Sequence, residues 1–144
     1  DPNEIDAAAI QRVHAALQQL RMDDPDRFGD WFGSFITTYR SAVLPVPDDN
    51  PPPSDAVELA LADGAQLMRH PWSRMAWRQV ASDNAARLYA GGVAYPLPSI
   101  DASTLAASDA VDAHVHAGLS DAGRAAVIAL LAAGHYQLMQ EDAP

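Results

Sequence analysis

The sequence of 144 residues contains no cysteine and no lysine. Without cysteine the chain has no disulfide bonds, no cysteine-ligated zinc site and no thiol nucleophile. All nine basic residues are arginine, and nineteen acidic residues outnumber them, so the net charge is −10. The acidic excess is present both before and after residue 55. Because nucleic-acid-binding domains are typically basic, we do not expect duplex DNA as a partner.

Long apolar runs and a signal sequence are also missing. No stretch approaches the roughly 18 apolar residues that a membrane-spanning helix needs, so we expect no membrane partner and a cytoplasmic location. Hydrophobic residues make up 49% of the chain, which is enough for a buried core. The sequence begins at Asp1 without a methionine, and we therefore expect it to be a piece of a longer protein.

The stretch DAHVH at residues 112–116 is the densest group of potential metal ligands. Ser108 before it and Gly118 after it predict a helix, on which Asp112 and His116 share a face and His114 points away. A third ligand at a recognisable spacing is lacking, so we interpret the stretch as a solvated helix face. A nucleophile elbow, a phosphate-binding glycine loop and a His-x-Asp/Glu pair are lacking too. The sequence predicts no catalytic, cofactor-binding or metal residue in this chain.

Residues 1–44 contain two predicted helices with conspicuous apolar faces. The first, residues 6–21, has a narrow apolar stripe, and the second, which follows Asp24, has a strongly aromatic face. Two glycines lie four residues apart in the second helix, where each costs about 1 kcal/mol relative to alanine. Close approach of another backbone would explain them. We predict that this segment forms a homodimer; docking of the same face on a neighbouring domain is the alternative. The predicted interface residues are Ile10, Val13, Leu17, Leu20, Phe28, Gly29, Trp31, Phe32, Gly33, Phe35 and Ile36.

Residues 45–54 are rich in proline and predict a stiff linker that keeps the following domain from covering the aromatic face. Residues 55–144 then combine helical and strand patterns. Ser54 or Asp55 caps a short helix, and several short runs rich in Val, Leu, Tyr and Trp follow it, with Gly91-Gly92 as a hairpin turn.

Three helices and a final strand complete the predicted C-terminal domain. The helices are residues 101–107, residues 109–117 after Ser108, and residues 121–133 after Ser120. The predicted fold class is α+β, mostly helical: an N-terminal helical dimerisation segment followed by a winged-helix-like domain.

A local excess of positive charge lies in the predicted strands. The residues are Arg69, Arg74, Arg78 and Arg87, with Trp72 and Trp77 between them. Such a basic, aromatic hairpin suggests a contact surface for nucleic acid, for acidic residues of the preceding segment, or simply a solvated sheet face. The predicted recognition helix, residues 121–133, offers only Arg124, which argues against groove reading.

Five stretches carry a resemblance to a known family. They are DRFGDWFGSFITTYR, the proline-rich linker, RHPWSRMAWR, RLYAGGVAYPL and LLAAGHYQLMQED. In this order they resemble the C-terminal part of the bacterial JmjC-type, cupin-like ribosomal oxygenases, from about residue 8 to residue 142 of this chain.

The resemblance implies a parent enzyme with a catalytic domain that this chain lacks. In that family iron(II) and 2-oxoglutarate serve to hydroxylate an arginine of a large-subunit ribosomal protein. The iron ligands are a His-x-Asp pair and a distant His, and no position here matches them. The implied partners are therefore a second copy of the chain, the missing catalytic domain and, through the parent, a ribosomal protein. A free-standing winged-helix interaction or regulatory module is the alternative.

Overall fold

A computed structural model describes residues 7–19, 23–38, 45–80 and 84–140 of the chain. Helices and strands alternate along these ranges. They are α1 Ala7–Gln19, α2 Pro25–Thr38, α3 Ser54–Ala62, β1 Gln66–Arg69, β2 Met75–Gln79, β3 Ala85–Ala90, β4 Val93–Pro98, α4 Ser99–Ala107, β5 Ala110–Val111, α5 Ala113–Gly118, α6 Asp121–Ala132 and β6 Tyr136–Met139.

The chain divides into two compact units, residues 1–32 and residues 33–144. The division lies within α2, whereas the predicted linker is at residues 45–54. In the first unit, Asp24 caps the start of α2, because its Oδ1 accepts a hydrogen bond from the N–H of Asp26 at 3.0 Å.

The second unit contains two antiparallel sheets of three strands each, in the orders β5-β1-β6 and β2-β3-β4. In the first sheet Leu67 of β1 lies between Val111 and Leu138 of its two neighbours. The predicted hairpin joins β3 to β4 in the second sheet. Its turn residues Gly91 and Gly92 have φ angles of 53° and 83°, a conformation that glycine adopts without steric cost.

One hydrophobic core lies between the two sheets and the helices that pack on them. Helices α3, α4 and α6 and every strand except the partly buried β2 contribute buried side chains, and α5 packs the partly buried Val115 against them. Prominent among them are Val57, Leu61, Leu67, Leu88, Leu97, Leu105, Val111, Leu119, Val127, Leu130 and Tyr136. Helix α6 is the most apolar of these helices in sequence, and it inserts four side chains, Ala126, Val127, Leu130 and Leu131, into this core.

The segment between α4 and α5 differs from the prediction. Residues 110–111 form the short strand β5, which pairs with β1, so the helix that follows starts only at Ala113. Ser108 ends α4 instead of starting the next helix: its N–H donates to the carbonyl of Thr104 at 3.0 Å. The prediction of a helix over residues 109–117 is therefore wrong at its start, because pairing with β1 holds that stretch extended.

Two other predicted helix starts also need correction. Helix α3 begins at Ser54 after Pro53, and no side chain caps it. Helix α4 begins at Ser99, two residues before the predicted start.

The proline-rich segment, predicted to be a stiff linker, lies within the second unit and contacts the end of α6. The N–H of Asp48 donates to the carbonyl of Ala132 at 2.9 Å, at the end of α6. A β-carbon on Gly134 would lie 2.2 Å from the carbonyl oxygen of Val46, so the two backbones are in close contact. Residues 46–48 are thereby fixed to the turn between α6 and β6.

Candidate functional site

Helix α2 exposes four aromatic side chains at the spacing i, i+3, i+4 and i+7. We call Phe28, Trp31, Phe32 and Phe35 the aromatic face; their exposed fractions are 42, 39, 47 and 41%. Three of these rings are close to one another: the centroid of Phe28 is 5.8 Å from that of Trp31 and 6.1 Å from that of Phe32. Aromatic side chains contribute large apolar areas to interfaces, and this face is therefore the leading candidate for a contact surface.

A second face of α2 is buried within the same chain. Gly33 lies against the ring of Tyr89 so closely that a β-carbon would be 2.6 Å from it. Thr37 is buried as well; its Oγ1 donates to the carbonyl of Gly33 and accepts from the N–H of Gly92, both at 3.0 Å. The absence of a side chain at Gly33 thus has an intramolecular reason, different from the approach of a second backbone that the sequence suggested.

The remaining predicted interface residues are only partly described. Leu17 of α1 is exposed, and Gly29 and Ile36 of α2 are half-buried. Leu20 and the side chains of Ile10 and Val13 lie outside the described residues. The stripe on α1 therefore stays a prediction.

The four arginines of the predicted basic surface do not have a common environment. The guanidinium of Arg69 donates to three backbone carbonyl oxygens at the end of α4, those of Leu105 (2.6 Å), Ala106 (3.0 Å) and Ser108 (2.5 Å). Its side chain is only 14% exposed, so Arg69 does not belong to an exposed basic surface. Its role is to satisfy carbonyl groups that the helix end leaves without partners.

Two other arginines are neighbours in the second sheet. Arg78 of β2 pairs with Arg87 of β3 across the ladder, and the Nε of Arg78 donates to the hydroxyl of Tyr89 at 3.0 Å. Arg74, in contrast, is exposed in the loop before β2. The structure therefore assigns different surroundings to arginines that look alike in sequence.

The stretch DAHVH is distributed over a helix cap and a short helix. Asp112 is the N-cap of α5, and its Oδ1 accepts from the N–H of Val115 at 2.8 Å. The prediction that Asp112 and His116 lie together on a solvated helix face is wrong, because Asp112 precedes the first turn of α5 and His116 is buried. His114 is exposed, whereas burial lowers the pKa of His116 below its usual value. Among the described residues no three His, Asp or Glu side chains are grouped as metal ligands.

Sequence reasoning missed a buried carboxylate that joins α4 to α6. Asp101 accepts from the hydroxyl of Ser120 at 2.5 Å, and this hydroxyl accepts from the N–H of Gly123 at 3.2 Å. A β-carbon on Gly123 would lie 2.5 Å from Oδ2 of Asp101. Asp101 is the single charged residue of α4, and this was the signal that could have revealed the contact.

A second missed contact joins the loop after β1 to the start of β6. Ser73 Oγ lies 2.8 Å from Nδ1 of His135, and both side chains are buried. Burial is the main cause that lowers the pKa of His135, and the nearby His70 lowers it further. Because the pair is enclosed, we interpret it as a structural tie and not as an activated nucleophile.

Residues 19–137 match the family model described as the ROXA-like winged helix. The chain belongs to the ROXA-like winged-helix family. The family match confirms both the resemblance found in the sequence and the α+β fold with a winged-helix domain.

Solved structures with the same fold come from Escherichia coli. The match to an X-ray structure of ycfD has a TM-score of 0.65 and 22% sequence identity. It covers 96% of this chain and 36% of the ycfD chain. The match to a structure of YcfD, described as a ribosomal oxygenase, has a TM-score of 0.64 and 23% identity. It covers 97% of this chain and 38% of the YcfD chain. A complex of YcfD with cobalt and 2-oxoglutarate has a TM-score of 0.63 at 22% identity, also with 97 and 38% coverage. The chain thus spans little more than a third of these proteins. No curated protein matches it.

In this ROXA-like winged helix, α6 corresponds to the predicted recognition helix. Its one basic residue, Arg124, donates to the carbonyl of Leu119 at 2.6 Å and forms an ion pair with Asp121. A helix that reads bases presents several polar or basic side chains to the groove. Helix α6 does not have this character. Within the described part of the chain, no helix has the length and apolar character needed to cross a membrane.

Proposed function

We propose that this chain is the non-catalytic dimerisation and winged-helix region of a ribosomal oxygenase that depends on iron(II) and 2-oxoglutarate. Two findings support the proposal: membership of the ROXA-like winged-helix family, and the fold shared with E. coli YcfD, one structure of which is a complex with cobalt and 2-oxoglutarate. Since the chain spans 36–38% of those proteins, the rest of the parent would contain the JmjC-type, cupin-like catalytic domain.

The proposed parent is a cytoplasmic protein hydroxylase, a dioxygenase that acts on an arginine of a large-subunit ribosomal protein. Iron(II) and 2-oxoglutarate would supply the oxidising chemistry in the catalytic domain. None of the residues of this chain is proposed as an iron ligand. Its contribution is positional: it fixes the catalytic domains of two protomers relative to each other.

The dimerisation proposal rests on the aromatic face of α2. Phe28 and Phe32 are among the most exposed large hydrophobic residues of the helix, while Gly33 and Thr37 are buried within the second unit. Full burial of one such aromatic side chain contributes roughly 1.5–3 kcal/mol, so several together supply a large driving force for association. A single apolar patch of this kind is most commonly buried by a symmetric, self-complementary contact.

The oxygenase proposal is tested in cells, by mass spectrometry of the ribosomal proteins. Deletion of the gene that encodes the chain should remove one oxygen atom from an arginine of a single large-subunit protein, and complementation should restore it. Ribosomal proteins of unchanged mass after deletion would contradict the oxygenase proposal.

The role of the aromatic face is tested in the same strain. Complementation with the double variant Phe28→Ser/Phe32→Ser should restore much less hydroxylation than the wild type, at equal protein level. Trp77→Ser changes an exposed aromatic residue outside the aromatic face and serves as the matched control. Full restoration by a double variant that is monomeric would contradict a role of dimerisation in the reaction.

A further inference from the structure

Strand β6 is an edge strand of its sheet. It pairs with β1 alone among the described strands, and its register places Met68 opposite Gln137. The N–H of His70 donates to the carbonyl of His135 at 2.9 Å, which identifies His70–His135 as a hydrogen-bonded pair. In an antiparallel ladder such pairs alternate, so the backbone groups of Tyr136 and Leu138 point away from β1. No described strand pairs with them on that side.

A groove of about 610 Å³ is lined in part by Tyr136, Gln137 and Leu138 of this strand. One wall is the proline-rich segment, with Pro45, Val46 and Pro52, and the other is β6 itself. Its walls are fixed, because the backbone of Asp48 is hydrogen-bonded to the end of α6. The groove is therefore preformed, and it is bordered by strand backbone that has no partner among the described strands, which is the arrangement that accepts an additional extended strand.

Trp72 lines the groove and is held in place while more than half of its surface is exposed. Its ring lies edge-on to His70 with 5.3 Å between the centroids, and its exposed fraction is 56%. The turn that carries it is closed by a hydrogen bond of 2.8 Å from the N–H of Ser73 to the carbonyl of His70. The contact between Ser73 and His135 fixes the same turn to β6. An exposed, well-positioned indole ring offers a face on which a cationic side chain stacks.

The charge of the groove favours a cationic occupant. Asp48 is the only Asp, Glu, Lys or Arg among the described residues that line it. One carboxylate oxygen of Asp48 accepts from the N–H of Asn50 at 2.9 Å, which orients the group. The whole chain has a net charge of −10, so it attracts a basic partner and repels a polyanion.

We propose that this groove binds an extended segment of a partner protein that carries arginine or lysine. The segment pairs with Tyr136 and Leu138 as an additional antiparallel or parallel strand. A basic side chain stacks on Trp72 and forms an ion pair with Asp48. This inference goes beyond the proposed function: it concerns a partner of the winged-helix unit, and it requires neither dimerisation nor an oxygenase parent.

The test uses the complete chain and a blocked nine-residue peptide of alternating arginine and valine. Calorimetry should show one-to-one binding, and the peptide with glutamate in place of arginine should not bind. A third peptide, the arginine peptide with methylated backbone nitrogens at alternate positions, should bind at least about tenfold more weakly, because it cannot pair as a strand. Equal binding of the arginine and glutamate peptides, or no binding of either, would overturn the proposal.

Two variants and their matched controls locate the site. Trp72→Ala and Asp48→Asn should each weaken binding by about threefold or more, as expected for a stacked and paired cation. Trp77→Ala and Asp63→Asn, which change exposed residues outside the groove, should leave it unchanged. Unchanged binding to both groove variants would contradict the assignment.

Amide hydrogen exchange provides a readout that is specific for strand pairing. The bound peptide should slow exchange of the N–H groups of Tyr136 and Leu138, while that of Gln137, which already faces β1, should change little. The same two amides could also be protected in the absence of peptide. Protection that increases with protein concentration would identify a second copy of the chain as the occupant and would overturn the proposal. Tighter binding of oligonucleotides than of the arginine peptide would overturn it as well.

Discussion

A β-carbon on Gly33 would lie 2.6 Å from the ring of Tyr89. This contact explains why a helix of fourteen residues tolerates a glycine in its interior, where glycine costs about 1 kcal/mol relative to alanine. Tyr89 is fully buried and cannot move aside without disturbing β3. The C-terminal half of α2 is thus part of the packed second unit, and the exposed aromatic face occupies another side of the same helix.

Gly33→Ala should destabilise the protein although alanine is the better helix former. The added methyl group overlaps the ring of Tyr89, and such overpacking costs typically about 1–3 kcal/mol. Urea unfolding followed by circular dichroism measures the change. Gly118→Ala is the matched control, because a β-carbon there meets nothing within 4 Å. A Gly33→Ala variant as stable as the wild type would show that the contact is not tight.

Arg69→Lys should also lower the free energy of unfolding. All three hydrogen bonds to the carbonyls at the end of α4 come from the Nη2 of Arg69, and lysine keeps the charge but is shorter and does not place a donor at the same position. Carbonyl groups left without partners cost about 1–3 kcal/mol. Thermal unfolding of this variant should be compared with that of Arg74→Lys, at an exposed arginine of the following loop. Equal unfolding temperatures for the two variants would contradict the structural role of Arg69.

Stability should fall as the pH falls below the ordinary pKa of histidine. Burial, and then His70, lowers the pKa of His135 in the folded protein, so the unfolded chain takes up a proton first, from about pH 6.5 downward. The stabilising contribution is complete above this pH and is lost as the pH falls toward the lowered pKa. The lowered pKa of His116 acts in the same direction.

Urea unfolding between pH 5 and 8 measures this dependence. His135→Gln should flatten the slope and lower the stability at pH 8, since the contact with Ser73 changes. His114→Gln, at an exposed histidine, should retain the slope of the wild type. If the free energy of unfolding of His135→Gln depends on pH as steeply as that of the wild type, His135 is not the cause of the pH dependence.

The sequence predicted the features that depend on neighbouring residues. Ser120 caps α6, accepting from the N–H of Gly123, and Gly91-Gly92 forms the hairpin turn, because both motifs are complete within a few positions. The short strand β5 was missed because two residues show no periodicity. Its extended conformation depends on pairing with β1, more than forty positions earlier.

The candidate site was predictable to the same limited extent. The residues of the aromatic face recur at helical spacing, and this pattern is visible directly in the sequence. The distinction between partly buried Arg69 and exposed Arg74 is set by where the end of α4 lies in space. The groove along β6 is formed by segments from residue 45 to residue 138 and has no local signature.

The isolated chain should not bind iron(II) or 2-oxoglutarate. Iron sites in the proposed parent family need a His-x-Asp/Glu pair, which the sequence lacks. Anaerobic calorimetry with iron(II), with and without 2-oxoglutarate, provides the measurement. Stoichiometric binding that disappears in His114→Ala or His116→Ala would show that a metal site had been missed at DAHVH.

Sedimentation equilibrium tests the proposed dimer most directly. We expect the chain to be a dimer at micromolar concentrations, and we expect Phe28→Ser/Phe32→Ser to be a monomer with unchanged secondary structure, because both side chains are exposed. Trp77→Ser should remain a dimer, since this tryptophan lies outside the aromatic face. A wild-type chain that stays monomeric across the concentration range, or a dimer that the double variant leaves intact, would contradict association through the aromatic face.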